Sequence, residues 1–222
     1  MPTTKKVFLW TAPRCVSTAF ERCMMEIPNS KVFHEPYSNP YHYGPERQSP
    51  RYLSQDIDTS ASYGDTNLLL TKQCDQNLNL IFCKDMAYAI ENHFEMLVND
   101  NGLREYQHTF LMRDPRNTIP SLYKASIDKQ QTGWETFDPY EAGFKQLQEL
   151  FDFVKANLDA SPVVIDANDI LADPEATIKG KNCNSSNMEF YMDFLFDLNF
   201  NCNFYQIFVE CEDVSVYLGY TR

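Results

Sequence analysis

The stretch Val7–Cys23, VFLWTAPRCVSTAFERC, opens on an apolar β-rich run and closes on residues with helical spacing. Between them lies Pro13-Arg14-Cys15-Val16-Ser17-Thr18, a connection without glycine. Phe20, Met24 and Ile27 recur at i, i+4 and i+7, which predicts an amphipathic helix over 17–27 that Ser17 or Thr18 caps. A helix N-terminus presents unpaired backbone N–H groups and a partial positive charge, so a connection of this kind suits an anion. Arg14 adds a full charge with bidentate donors, and Ser17 and Thr18 add hydroxyls. Neither G-x-x-x-x-G-K-[ST] nor G-x-G-x-x-G occurs, so this is not an ordinary ATP or dinucleotide loop.

Outward from this stretch, apolar β-rich runs recur at 31–35, 78–85, 108–114 and 162–167. Helical patterns follow them: AYAIENHFEMLV (87–98), TIPSLYKASI (118–127), and the long amphipathic run 138–158, which starts with Asp-Pro. Strands alternating with helices imply crossover connections and an α/β fold, a three-layer arrangement with a mostly parallel sheet flanked by helices. Ligands in such sheets sit beyond the carboxyl ends of the strands, so the residues just after each strand are the candidates. The segment 36–66 is rich in Pro, Ser, Tyr and Gly and long for a loop in a compact domain. It reads either as a surface excursion with a short helix near 47–55 or as a lid, with Tyr37, Tyr41, Tyr43, Tyr52 and Tyr63 walling an acceptor pocket.

The 222 residues suit one α/β domain over 1–180, followed by an Asn-, Phe- and Cys-rich segment over 181–222. Within that segment MEFYMDFLFDL suggests a helix, and QIFVE or VSVYLGY a strand. A formal charge of −12 argues against nucleic acid, an anionic membrane or a long polyanionic glycan as partner. A small anion needs only a few local cations and stays open. No apolar run approaches the ~20 residues that span a bilayer, and the N-terminal apolar run reads as a first strand rather than a signal peptide, so the expectation is a cytoplasmic protein. Seven cysteines with no Cys-x-x-Cys pair or Cys/His cluster read as reduced thiols, with no metal site expected.

A second motif lies in FLMRDPRNTIPSLYKAS (110–126). An apolar strand delivers Arg113, a helix begins close behind, and Ser121 follows eight positions after Arg113, about two turns along that helix. Taken alone, Arg113 and Asp114 also read as a strand-end ion pair, and Ser121 as a small packing residue.

The two motifs together resemble those of the P-loop sulfotransferases, which use 3′-phosphoadenosine 5′-phosphosulfate (PAPS) as sulfuryl donor. VFHEPYS followed by GPERQSPRY further resembles a small-molecule branch of that family, some of whose members carry an aminotransferase-like label, although no pyridoxal-site signature is present. The resemblance runs from Val7 to Ile178 and implies a P-loop nucleotide-hydrolase-like fold. It also implies that Arg14, Cys15, Val16, Ser17 and Thr18 form the phosphosulfate loop, that Arg113 and Ser121 clamp the 3′-phosphate with Arg116 nearby, and that no metal takes part. The partner it implies is a small-molecule hydroxyl or amine.

An acceptor of that kind loses a proton as it attacks, which calls for a base beyond a neighbouring strand end. Glu35 is the first candidate and His34 the second; strand alternation puts them on opposite faces. Lys84, at the end of LIFCKD, is placed to contact acceptor or sulfonate, and equally reads as a solvated pair with Asp85. The competing classes are a nucleotide or small-molecule kinase, which lacks its Walker lysine here, and a non-catalytic nucleotide-binding protein.

Overall fold

The computed structural model describes residues 4–72 and 77–178. In chain order it contains β1 (Lys5–Thr11), α1 (Ser17–Met25), β2 (Ser30–His34), α2 (Ser38–Tyr43), α3 (Tyr63–Thr71), β3 (Leu80–Met86) and α4 (Met96–Asn99). There follow β4 (Gln107–Met112), α5 (Pro115–Ser126), α6 (Lys129–Thr132), α7 (Phe144–Asn157), β5 (Val163–Asp166), α8 (Ala167–Ala172) and α9 (Pro174–Ile178). The helix and strands suggested within 181–222 lie outside the described residues.

The five strands form one parallel sheet in the order β2-β3-β1-β4-β5. The chain leaves central β1 for the edge strand β2, returns to β3, and then passes to β4 on the far side of β1. Its direction therefore reverses around β1, and ligands of such sheets bind beyond the carboxyl ends of the strands at a reversal of this kind.

Strand alternation separates two layers of core. Val7, Leu9 and Thr11 share a face with Phe82 and Lys84, their register neighbours on β3. There Phe20 of α1 stacks on Phe82 with ring centroids 6.0 Å apart. The opposite face carries an aromatic layer in which Phe8 lies 4.6 Å from Trp10, 4.5 Å from Tyr106 and 5.5 Å from His108. Helix α7 covers the same face through Phe151 against Phe110. The buried Trp10 indole N–H donates to Nδ1 of His108 at 2.9 Å. Burial holds the His108 ring down at about 4, so it is a neutral acceptor at physiological pH.

The five strands expected between residues 6 and 167 all form, while several helical expectations change. The run 87–98 is not one helix: Ala87–Ile90 is a fully buried 3₁₀ turn, Asn92 takes a positive φ of 65°, and only α4 is helical beyond it. The run 138–158 starts late, because Gly143 at φ 71° breaks the 3₁₀ turn Pro139–Ala142 from α7. A Cβ at Gly143 would also stand 3.2 Å from the Tyr88 ring. No helix among the described residues is long and apolar enough to cross a membrane.

The excursion after β2 is built in rather than loose. Tyr37, Tyr41 and Tyr63 are buried in the core, so three of the five tyrosines expected to wall a pocket are packing residues. In place of a helix near 47–55 there is the 3₁₀ turn Pro50–Tyr52, preceded by the unforeseen α2. Arg51 clamps this excursion to the segment before α7. Its Nε donates to Glu141 Oε1 at 2.8 Å, its NH2 to Glu141 Oε2, and its guanidinium lies 4.1 Å from the Trp134 ring centroid. Removing one partner of a buried pair strands the other charge, so Glu141→Ala should destabilise by about 3 kcal/mol. Thermal unfolding checks this against Lys129→Ala, which loses only a surface pair with Glu135 and should leave the melting temperature in place.

Candidate active site

The connection between β1 and α1 acquires glycine-like geometry from residues that are not glycine. Arg14 has φ 65° and Val16 φ 63°. A β-branched residue in that region is a conformational outlier, and each such position costs of order 1–3 kcal/mol unless the surroundings over-determine it. Val16 rather than Ser17 or Thr18 occupies the N-cap of α1, and no side chain caps it. The expected side-chain cap is therefore corrected. Ser17 instead begins the helix itself and is buried, so its backbone N–H and that of Thr18 face the turn beyond β1.

Arg14 and Arg113 meet at this turn. Arg14 Nε donates to Ser121 Oγ at 2.9 Å, and Arg113 NH1 donates to the Arg14 carbonyl at 3.4 Å. Arg113 Nε is buried with no partner among the described residues. Burial first, and then the charge of Arg113, lower the Arg14 guanidinium from its ordinary value. Among the described residues no carboxylate pairs with either guanidinium. The alternative reading of Arg113 and Asp114 as a strand-end ion pair fails among the described residues. Asp114 caps α5 by accepting from the Arg116 N–H at 2.8 Å and pairs with the Arg116 side chain, which is 90% exposed. Ser121 reaches Arg14 rather than Arg113, so the three residues named from sequence converge on one place. Cys15 is buried in the same turn and burial pushes its thiol up, which makes it a packing residue rather than a nucleophile.

A second cluster forms where β2 and β3 end. Lys84, fully buried, donates to Glu35 Oε1 at 2.5 Å and lies 3.8 Å from Glu21 Oε2. His34 Nδ1 is 2.6 Å from Glu21 Oε2, and its Nε2 is 3.8 Å from Glu35 Oε1. The alternation that puts His34 and Glu35 on opposite faces fails because Glu35 lies beyond the strand with φ 46°, which turns its side chain back toward Lys84. Lys84 and Asp85 are not a solvated pair either: both are completely buried, and Asp85 accepts from the Tyr37 and Met86 N–H groups at 2.7 and 2.8 Å. Glu21 was not singled out from the sequence. Its signal is the spacing Ser17, Glu21, Met24, which puts a carboxylate on the sheet-facing stripe of α1.

The electrostatics of this cluster follow from burial against pairing. Burial raises the Glu35 carboxyl, but the charges of Lys84 and His34 and the Lys84 hydrogen bond outweigh it, and the group ends below its ordinary 4.5. For Lys84 burial acts downward, and Glu35 followed by Glu21 bring it above its ordinary 10.5. Asp85 goes the other way, raised well above its ordinary value by burial and then by Glu35.

A search against protein-family models and a search among curated proteins return no match. Among the described residues no group of three or more His, Cys, Asp or Glu is arranged to hold a metal ion.

Lys84→Met leaves Glu21 and Glu35 buried without their cation and should cost about 3 kcal/mol or more at neutral pH. Glu35, lowered on folding, adds stability that is present above pH 4.5 and lost as the pH falls through its folded value. Lys84, raised on folding, adds stability that is present below pH 10.5 and lost as the pH rises through its folded value. Asp85 is retained in both proteins. Urea midpoints of wild type and Lys84→Met should therefore differ most between these limits and converge outside them.

Proposed function

We propose that this chain is a sulfotransferase that moves a sulfuryl group from PAPS to a hydroxyl or amine of a small molecule. The observation that supports the reading is the pair of guanidinium groups, Arg14 and Arg113, held together at the carboxyl ends of adjacent parallel strands with no carboxylate between them among the described residues. Two like charges are held close, and Arg113 Nε is buried with no partner among the described residues. An anionic ligand relieves both conditions at once. The resemblance of the two motifs to the P-loop sulfotransferases then specifies the anion as a nucleotide with phosphates at its 5′ and 3′ positions, on the P-loop-type fold that the resemblance implies.

In this reading the N–H groups at the start of α1, with Ser17 and Thr18, receive the 5′-phosphosulfate, and Arg113 with Ser121 receives the 3′-phosphate. Arg14 lies between these two groups of donors. As the bond from sulfur to the bridging oxygen breaks, negative charge develops on the departing phosphate, and a guanidinium fixed in a dry site stabilises it without reorganisation. The acceptor oxygen or nitrogen forms the new bond to sulfur in line with the departing oxygen. Its proton passes to Glu35 or His34, with Lys84 holding the Glu35 carboxylate in place. The products are a sulfate ester or sulfamate and 3′-phosphoadenosine 5′-phosphate.

Calorimetric titration with 3′-phosphoadenosine 5′-phosphate tests the donor site. Micromolar binding is expected, lost in Arg113→Ala and weaker for ATP with magnesium. Preference for ATP with magnesium would replace this reading with a kinase. With PAPS and an accepted phenol, alcohol or amine, Arg14→Ala should lower turnover by 10²-fold or more, the loss typical of removing one donor to developing charge. The loss of turnover should far exceed the loss of stability read from its melting temperature. Glu35→Gln should flatten the acid limb of the pH–rate profile, and an unchanged profile would move the base to His34.

A further inference from the structure

The turn that holds Arg14 contains two non-glycine residues at positive φ, and no side chain caps the helix that follows. Backbone of this kind persists only where neighbouring structure over-determines it. On the β4 side the support is visible, because Ser121 accepts from Arg14 Nε and Arg113 donates to the Arg14 carbonyl. On the other side the support comes from one turn into α1. Ser17 and Glu21 are four residues apart and share a helix face. The Glu21 carboxylate is 1% exposed and contacts His34 at 2.6 Å and Lys84 at 3.8 Å. Lys84 is bonded in turn to Glu35. Glu21 thus ties the helix carrying the turn to the charged groups at the ends of β2 and β3, beside the Phe20–Phe82 packing.

We infer that Glu21 is a positioning residue that couples the anion-binding turn to the Lys84–Glu35–His34 cluster, so that the donor end and the acceptor end of the site are set by one buried network. The inference rests on the proposed function, since it takes the turn to bind an anion. The arrangement has a directional consequence. An anion that fixes the turn also fixes α1 and Glu21, and Glu21 then holds His34 and Lys84. If the two are coupled, loosening His34 or Glu21 weakens anion binding. His34 makes this testable, because its ring is half exposed and belongs to β2, an edge strand separated from β1 by β3.

The probe is 3′-phosphoadenosine 5′-phosphate, titrated by calorimetry into the unsubstituted chain, Glu21→Gln, His34→Ala and Ile170→Ala. Ile170 is a core residue of α8 beside β5, and its truncation lowers stability without touching the network. Coupling between sites is commonly worth about 5-fold or more in affinity. Glu21→Gln and His34→Ala should each weaken the bisphosphate by about that factor, while Ile170→Ala binds as the unsubstituted chain does. The His34 ring resonances should move on bisphosphate binding in the unsubstituted chain and stay fixed in Glu21→Gln. His34→Ala removes only a half-exposed ring, so it keeps the test open if Glu21→Gln does not fold. Bisphosphate binding of unsubstituted strength in His34→Ala, together with His34 resonances that ignore the ligand, overturns the coupling alone. No binding by the unsubstituted chain overturns the donor reading and the coupling with it.

Discussion

Two guanidinium groups brought to one turn repel each other, as Arg113 does the Arg14 guanidinium, and burial strengthens that repulsion by removing the water that would screen it. Arg14 and Arg113 are in this position because β1 and β4 are hydrogen-bonded neighbours that end together. The sheet order fixes that adjacency, so the charge concentration is a property of the fold and not of a loose loop. The surrounding features are arranged about it. Ser121 aligns one guanidinium, α1 points an uncapped N-terminus at the same place, and Asp114, the nearest carboxylate in sequence to Arg113, is turned outward to Arg116.

The second half of the site has the opposite character. Around Lys84 each charge has an opposite or polar neighbour: one ammonium lies between two carboxylates, with an imidazole beside both. A buried ion network of this kind contributes little net stability compared with apolar packing, and breaking one member is costly. Its value lies in geometry, because it determines where the Glu35 carboxylate stands and how α1 sits on the sheet. A pair of cations with no carboxylate partner among the described residues and a network of paired charges are a physical division of labour. Under the proposed function the first receives the anionic donor and the second holds the groups that accept the proton.

Much of this was legible in the sequence. The five strands and the parallel sheet follow from periodicity, the strand-end rule marks Arg14 and Arg113 as candidates, and the resemblance of the two motifs places them with Ser121 in one site. What was hidden depended on backbone conformation or on tertiary contacts. Nothing in the sequence signals positive φ at Arg14, Val16 or Glu35, because none of them is a glycine, and the turn of Glu35 is what defeats strand alternation. Gly143 breaks a helix whose apolar spacing runs on either side of it, so periodicity joined what one residue separates. The tyrosines of 37–63 looked like loop residues by composition, yet Tyr37 and Tyr63 stack in the aromatic layer on the β1 face. Glu21 escaped notice because a single carboxylate on an amphipathic helix looks like solvated surface until the sheet supplies Lys84 beneath it.

The most direct test of the central claim, that Arg14 and Arg113 are held together to receive an anion, is a crystal structure of the chain grown with saturating 3′-phosphoadenosine 5′-phosphate. Density for the 5′-phosphate against the Ser17 and Thr18 N–H groups beside Arg14, with the 3′-phosphate on Arg113 and Ser121, is the expected result. Nucleotide bound elsewhere, or a carboxylate of the chain itself seated between the two guanidinium groups with the ligand present, would contradict it.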